Sequence, residues 1–158
     1  MRLRFCFAAV MLLFFALQDL RTRSISLTAA GFFAAAALLL SAVCFFFNHE
    51  VEGTLALLSI VLFRIPETAA ALIPGAVLLA VSFATRGGIG TGDAVIAFLL
   101  GLCLPVSFVA EILLSGLLFS AVYSAGQLMT GRRGLRSAFP FIPYLLPGLL
   151  TVILLHPL

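Results

Sequence analysis

From Leu27 to Phe47 the chain runs twenty-one residues without a charge. Five further apolar runs surround that one, with a shorter apolar piece at Thr54 to Phe63. About 20 apolar residues in a helix cross the hydrocarbon of a bilayer. Charged residues make up only 9% of the chain, where a soluble domain carries roughly 25%. A chain with so little polar surface cannot cover itself in water. The fold class is therefore an all-α integral membrane protein, a single membrane domain over residues 1–158 with the lipid bilayer as its surroundings.

The runs give a bundle of about six transmembrane helices. Phe5 to Gln18, extended by Leu3, predicts a first helix of about four turns. Arg2 and Arg4 ahead of it resemble the start of a secretory signal, but no small-residue cleavage site precedes Asp19 and further spans follow. Leu27 to Phe47 is the second span. Thr54 to Phe63 is too short to cross and is placed at the interface. Pro66 and Glu67 mark the start of the third span, with proline in the first turn and an acid near the positive end of the helix dipole. Pro74 predicts a kink within it. Ala94 to Leu104 is a short fourth span and Ser107 to Met129 a full fifth. Along the fifth, Gly116, Ser120 and Ser124 form a small-residue ridge that lets a neighbouring helix approach. Phe139-Pro140-Phe141-Ile142-Pro143-Tyr144 opens the last span, which ends near His156. Cys6, Cys44 and Cys103 are isolated in apolar runs and serve as packing residues, with neither a disulfide framework nor a zinc motif.

Two places stand out against this background. Arg86-Gly87-Gly88-Ile89-Gly90-Thr91-Gly92-Asp93 sets four glycines in six residues before an aspartate at the mouth of the fourth span. Glycine admits unusual backbone angles and close approach of another chain, and an acid at the edge of an apolar segment is costly enough to mark a functional site. The plainer reading is an interfacial loop whose aspartate caps the next helix. The second place is Gln18-Asp19-Leu20-Arg21-Thr22-Arg23, an acid at the end of the first span with two arginines beyond. The plainer reading there is an ion pair with Arg21 or Arg23.

Topology decides whether the two acids can meet. Every cation except histidine is an arginine. With the N-terminus outside, the inner loops hold Arg21, Arg23, Arg86, Arg132, Arg133 and Arg136, and the outer side holds Arg2, Arg4 and Arg64. Six against three favours both termini outside, by the excess of arginine in cytoplasmic loops. Two spans then separate Asp19 from Asp93, and both acids face the cytoplasm, provided Thr54 to Phe63 does not cross. The positive charge is thus accounted for by membrane topology, and no nucleic-acid partner is expected.

Two close carboxylates cannot both ionise easily, so a pair shares one proton. One member then acts as base on water and the other as acid on a peptide carbonyl. His49 and His156 fall on the outer side, away from the acids, and no serine or cysteine has a histidine partner. Two aspartates are too few to hold a metal, and no metal or cofactor is expected. Glu111, about a turn into the fifth span, faces away from the acids and is a candidate partner of Arg64.

These residues resemble a known family. Gly90-Thr91-Gly92-Asp93 matches the GxGD motif of membrane aspartyl proteases. Asp19-Leu20-Arg21-Thr22-Arg23-Ser24-Ile25 resembles the first catalytic segment of type IV prepilin peptidases, and Phe139-Pro140-Phe141-Ile142-Pro143 the Pro-Phe-Gly-Pro stretch that opens that family's last helix. The resemblance implies an aspartic endopeptidase that removes the short basic leader of prepilin-like precursors (type IV pilins, Tad pilins or pseudopilins) at the cytoplasmic face of the cell membrane. It implies Asp19 and Asp93 as the catalytic pair and Gly90 and Gly92 as shaping the loop that presents Asp93. Arg21, Arg23, Pro140 and Pro143 are weaker candidates. Three departures stand out. Ser26-Leu27 stands where Pro-Asn is expected, Val95 where a lysine commonly follows the aspartate, and Ile142 where the late motif has glycine. The paired CxxC motifs of the family's methylating region are missing, which implies the compact, peptidase-only form.

Two other readings compete. A presenilin-like protease shares GxGD, but it has more spans and a tyrosine before its first aspartate, where this chain has Gln18. A non-enzymatic membrane protein, either a transporter subunit or a degenerate relative acting in assembly, is the other. A transporter calls for polar residues deep in several spans or matched broken helices. Here the ionisable residues sit mainly at span ends.

Overall fold

The computed structural model describes residues 2–22, 25–48, 65–85, 90–130 and 141–156. Every element among them is a helix: α1 (Arg2–Thr22), α2 (Leu27–Asn48), α3 (Ile65–Ala84), α4 (Thr91–Cys103), α5 (Val106–Met129) and α6 (Ile142–Leu155). The interfacial piece Thr54 to Phe63 lies outside the described residues.

α1 is longer than the four turns expected. Its 21 residues reach about 31 Å at 1.5 Å per residue. Arginine, leucine and glutamine all favour helix, so the flanks extend the apolar run at both ends. Thr22 secures the last turn by donating its hydroxyl to the Gln18 carbonyl at 2.9 Å. Asp19 therefore stands on the last full turn of a helix instead of in a loop. α3 begins with Pro66 and Glu67 in its first turn and remains helical through Pro74.

α1 and α5 are each long and apolar enough to cross a membrane. Such a helix in the core of a soluble protein would be mostly buried. Here only 33% of the most apolar stretch of α1 and 17% of that of α5 lie inside the protein. Val10, Leu13 and Leu17 on α1, and Leu114, Leu117, Leu118 and Val122 on α5, point outward. Apolar surface on that scale indicates membrane association. α2, with 22 residues, and α3, with 20, are also of spanning length. α4 and α6 are shorter, with 13 and 14 residues. The 13 residues of α4 reach only about 20 Å. Ala94, Ile96, Ala97, Leu99, Leu100 and Cys103 are buried along it, so it faces protein and need not match the lipid thickness.

The core forms where α1, α4, α5 and α6 converge, around Phe5, Met11, Leu12, Phe15, Ile96, Leu100, Ile112, Leu145 and Leu149. Glycines set two of its closest contacts. A methyl group on Gly75 would stand 2.8 Å from the Phe98 backbone nitrogen, and one on Gly101 would meet the Ala71 carbonyl oxygen. α3 and α4 therefore lie antiparallel with their backbones nearly touching. α5 and α6 do the same. A methyl on Gly148 would stand 2.7 Å from the Ile112 carbonyl, and one on Gly116 would stand 2.8 Å from the Leu145 side chain. Of the ridge on α5, Gly116 makes the close approach. Ser120 returns its hydroxyl to its own helix at the Leu117 carbonyl, 2.9 Å away. Gly101→Ala is expected to cost about 1–3 kcal/mol through backbone overpacking, read as a lower melting temperature in detergent. Gly126→Ala, where an added methyl meets nothing, is expected to leave it unchanged or raised.

These contacts fix which ends lie together. α2 runs away from the Ile25 end, and its Ser41 hydroxyl donates to the Leu102 carbonyl near the far end of α4, at 3.2 Å. α3 starts at that far end and returns. The chain thus leaves α2 and enters α3 on the same side, as the pairing of Asp19 with Asp93 requires.

Candidate active site

One end of the bundle gathers the end of α1, the start of α2 and the start of α4, and with them both aspartates. On α1, the buried residues Phe5, Ala8, Met11, Leu12, Phe15 and Ala16 recur every three or four positions. One more turn of that stripe brings Gln18 and Asp19 to the inner face. On α4, Asp93 stands in the first turn, just before the apolar run Ala94–Leu104. Its amide donates to the Gly90 carbonyl at 3.1 Å.

The helix-capping reading of Asp93 does not hold. Gly90 is the N-cap, and no side chain caps the helix. Nor is glycine needed at position 90 for an unusual angle, since its φ is −62° and its ψ 127°. Space is the reason: a methyl there would stand 3.3 Å from the Asp93 Oδ2. The carboxylate folds back over the glycine. At Gly92 the crowding comes from the other acid's segment, because a methyl would run into Ile25, with the Cγ1 at 3.0 Å. Ile25 thus clasps the connector after Asp19 to the turn that carries Asp93. Sequence reasoning quoted Ile25 as part of a motif and gave it no role; only the fold reveals its contact. Gly92→Ala is expected to displace Ile25 and lower activity. Ile25→Val, which removes the obstructing terminal methyl, is expected to restore part of it in the double variant, read as a coupling between the two changes.

Position alone would make Asp93 a stronger acid, because a helix N-terminus favours negative charge. The opposite occurs. Burial, and then the Asp19 carboxylate, push the Asp93 carboxyl from 3.8 up to about 6. Desolvation outweighs the dipole, and the contribution from Asp19 places the two acids within electrostatic reach of each other. The arrangement can hold a proton near neutrality next to a second carboxylate, as general acid–base chemistry requires.

Each of the three departures from the family pattern has a structural role. Ser26 caps α2: the Ala29 amide donates to its Oγ at 3.4 Å, and its hydroxyl lies 2.7 Å from that of Thr28. Val95 packs against the core, and Ile142 lies within it. Pro143 falls in the first turn of α6, and Arg21 is exposed in the last turn of α1. Arg23, Arg64, Arg86, Arg132, Arg133, Arg136, Pro140 and His49 lie outside the described residues. Glu111 meets His156 at 3.1 Å, beside the ring of Phe108; its expected partner Arg64 is among those outside the described residues. That pair sits at the end of the bundle away from the aspartates. Among the described residues no three His, Cys, Asp or Glu side chains cluster to hold a metal ion.

A helical, membrane-associated protein with two carboxylates within electrostatic reach at one end is the class that the geometry defines. No protein-family model matches the chain, and no solved structure does. The chain is similar to the prepilin leader peptidase/N-methyltransferase of Bacillus subtilis, 32% identical over 71 residues. The match covers 45% of this chain and 29% of that protein, less than a third of the relative's length. This similarity supports the prepilin peptidase resemblance at the level of the family.

Proposed function

We propose that this protein is a membrane aspartic endopeptidase that removes the leader from prepilin-like precursors, with Asp19 and Asp93 as its catalytic pair. The observation that carries the reading is that the fold brings the segments of both acids together at one end of the bundle, with Ile25 after Asp19 lying on Gly92 beside Asp93; burial and Asp19 raise the Asp93 carboxyl there. The relative's name, prepilin leader peptidase/N-methyltransferase, supports the substrate class, and the proposal concerns the cleavage step alone.

The pair shares one proton. The ionised carboxylate takes a proton from water, and the hydroxide so formed attacks the scissile carbonyl. The protonated carboxyl gives its proton to the carbonyl oxygen, neutralising the charge that develops there. The tetrahedral intermediate then collapses. Its amine leaves with a proton from the carboxyl that had acted as base, and the other carboxyl recovers its own from the collapsing hydroxyl. The pair ends as it began. Gly90 and Gly92 hold Asp93 in place by leaving room for its carboxylate and for Ile25. The excess of arginine on the loops at the acid-bearing end puts that end in the cytoplasm and both ends of this chain outside.

The test is co-expression with a prepilin-like precursor encoded in the same genome, with leader loss followed on a gel. Processing that needs Asp19 and Asp93 but not Glu111 supports the peptidase. A wild type that cleaves no such precursor, or cleavage that survives loss of either aspartate, favours a non-enzymatic assembly factor or transporter subunit instead.

A further inference from the structure

Gln18 stands immediately before Asp19 on the inner stripe of α1. Its Oε1 is sealed from solvent and, among the described residues, is the one buried side-chain oxygen or nitrogen without a hydrogen-bond partner. Leaving such an acceptor unmet carries the desolvation penalty of the amide oxygen, and a native fold keeps few such groups. Leucine or methionine would fill the same space on a stripe that is apolar from Phe5 to Ala16, without that cost. The cost is tolerable if the partner arrives with a ligand. Beside a carboxylate pair that acts on peptide bonds, the ligand group that matches a lone acceptor is a backbone N–H. An extended peptide presents such donors at every second residue on one side, and main-chain pairing gives affinity without reading side chains.

We infer that Gln18 is a substrate-docking residue: when peptide binds, its half-buried side chain turns the amide oxygen out to accept a hydrogen bond from the peptide backbone next to the scissile bond. This rests on the peptidase reading above. Gln18 takes no part in proton transfer; it sets where the chain lies relative to the aspartates.

The test uses the full chain in detergent micelles with a synthetic prepilin peptide, a basic leader followed by the first apolar residues. Gln18→Leu and Gln18→Met are compared with wild type. Both are expected to raise KM about three- to tenfold, the range of one uncharged hydrogen bond, with kcat little changed. Both are also expected to melt at or above the wild-type temperature, since an unsatisfied polar group has been removed. A second set of peptides replaces single backbone N–H groups around the cut, one at a time, by ester oxygen. At one position the ester is expected to weaken wild type by the same factor and to leave Gln18→Leu unaffected, the coupling a direct contact requires. Unchanged KM in both variants, lowered melting in both, or no ester position that couples would each overturn the assignment while leaving the peptidase standing. A wild type that cleaves no prepilin peptide removes the peptidase reading and this inference with it.

Discussion

Asp93→Asn and Asp19→Asn are each expected to lower leader cleavage by roughly 10³-fold or more, with the peptide still bound. Asparagine keeps the size of the side chain and cannot exchange a proton, so the loss isolates proton transfer. General acid and general base steps each contribute about 10²–10⁴-fold. Because the carboxylates act as one unit, the double variant is expected to be no worse than either single one. Glu111→Gln, in the pair with His156 at the far end, is expected to cleave as wild type does. The pH profile carries the same signature. With the Asp93 carboxyl near 6, kcat/KM is expected to fall as pH rises through that region and the pair gives up its shared proton. The apparent pKa values belong to the pair. Single-turnover cleavage across pH in detergent measures all of this. An Asp93→Asn variant that retains more than a tenth of wild-type activity would remove the mechanism.

The same carboxyl is expected to destabilise the protein, and the sign follows from its direction. Asp93 moves from 3.8 to about 6 on folding, so the folded state prefers the protonated acid. Its contribution is harmless below the unfolded value of 3.8, is lost as pH rises towards 6, and stays lost above it. The interval of about 2 pH units corresponds to about 3 kcal/mol. Asp93→Asn, which mimics the protonated acid at every pH, is therefore expected to melt several degrees above wild type at pH 8. The gap should narrow below pH 6 and close near pH 4. Thermal unfolding in detergent at those pH values checks it. A variant no more stable than wild type at pH 8 would mean that the ionised carboxylate is well solvated in the folded protein. The expected pairing of higher stability with lost activity is the trade that acidic groups at buried sites impose.

Much of the architecture was legible in the chain. The helices start and stop close to where charges, prolines and glycines punctuate the apolar runs. Pro66-Glu67 opens α3, the acid-ended glycine loop opens α4, and Pro143 falls in the first turn of α6. The placement of Asp19 and Asp93 at one end followed from counting spans between them, because each crossing reverses the chain. The length of α1 was underestimated because the hydropathy pattern ends at its polar flanks, whereas the hydrogen-bonded helix does not. The contact of Glu111 with His156 was missed for a different reason. Nothing in a linear pattern indicates that the end of α6 returns to within 3.1 Å of Glu111.

The sequence by itself determined the class of solvent this protein meets and the identity of the acids at the helix ends. Those depend on composition and on short periodic patterns, which act locally. The tertiary structure decided what each small residue is for. Gly92 is glycine because Ile25 comes from the connector between α1 and α2 to lie on it, and Gly101 because the Ala71 carbonyl comes from α3. It also decided the protonation of Asp93, which the start of a helix would favour as a charge and which burial against Asp19 holds near neutrality. The direction was expected from a close carboxylate pair, but desolvation is set by what packs around a group from distant parts of the chain, so its extent is decided by the fold.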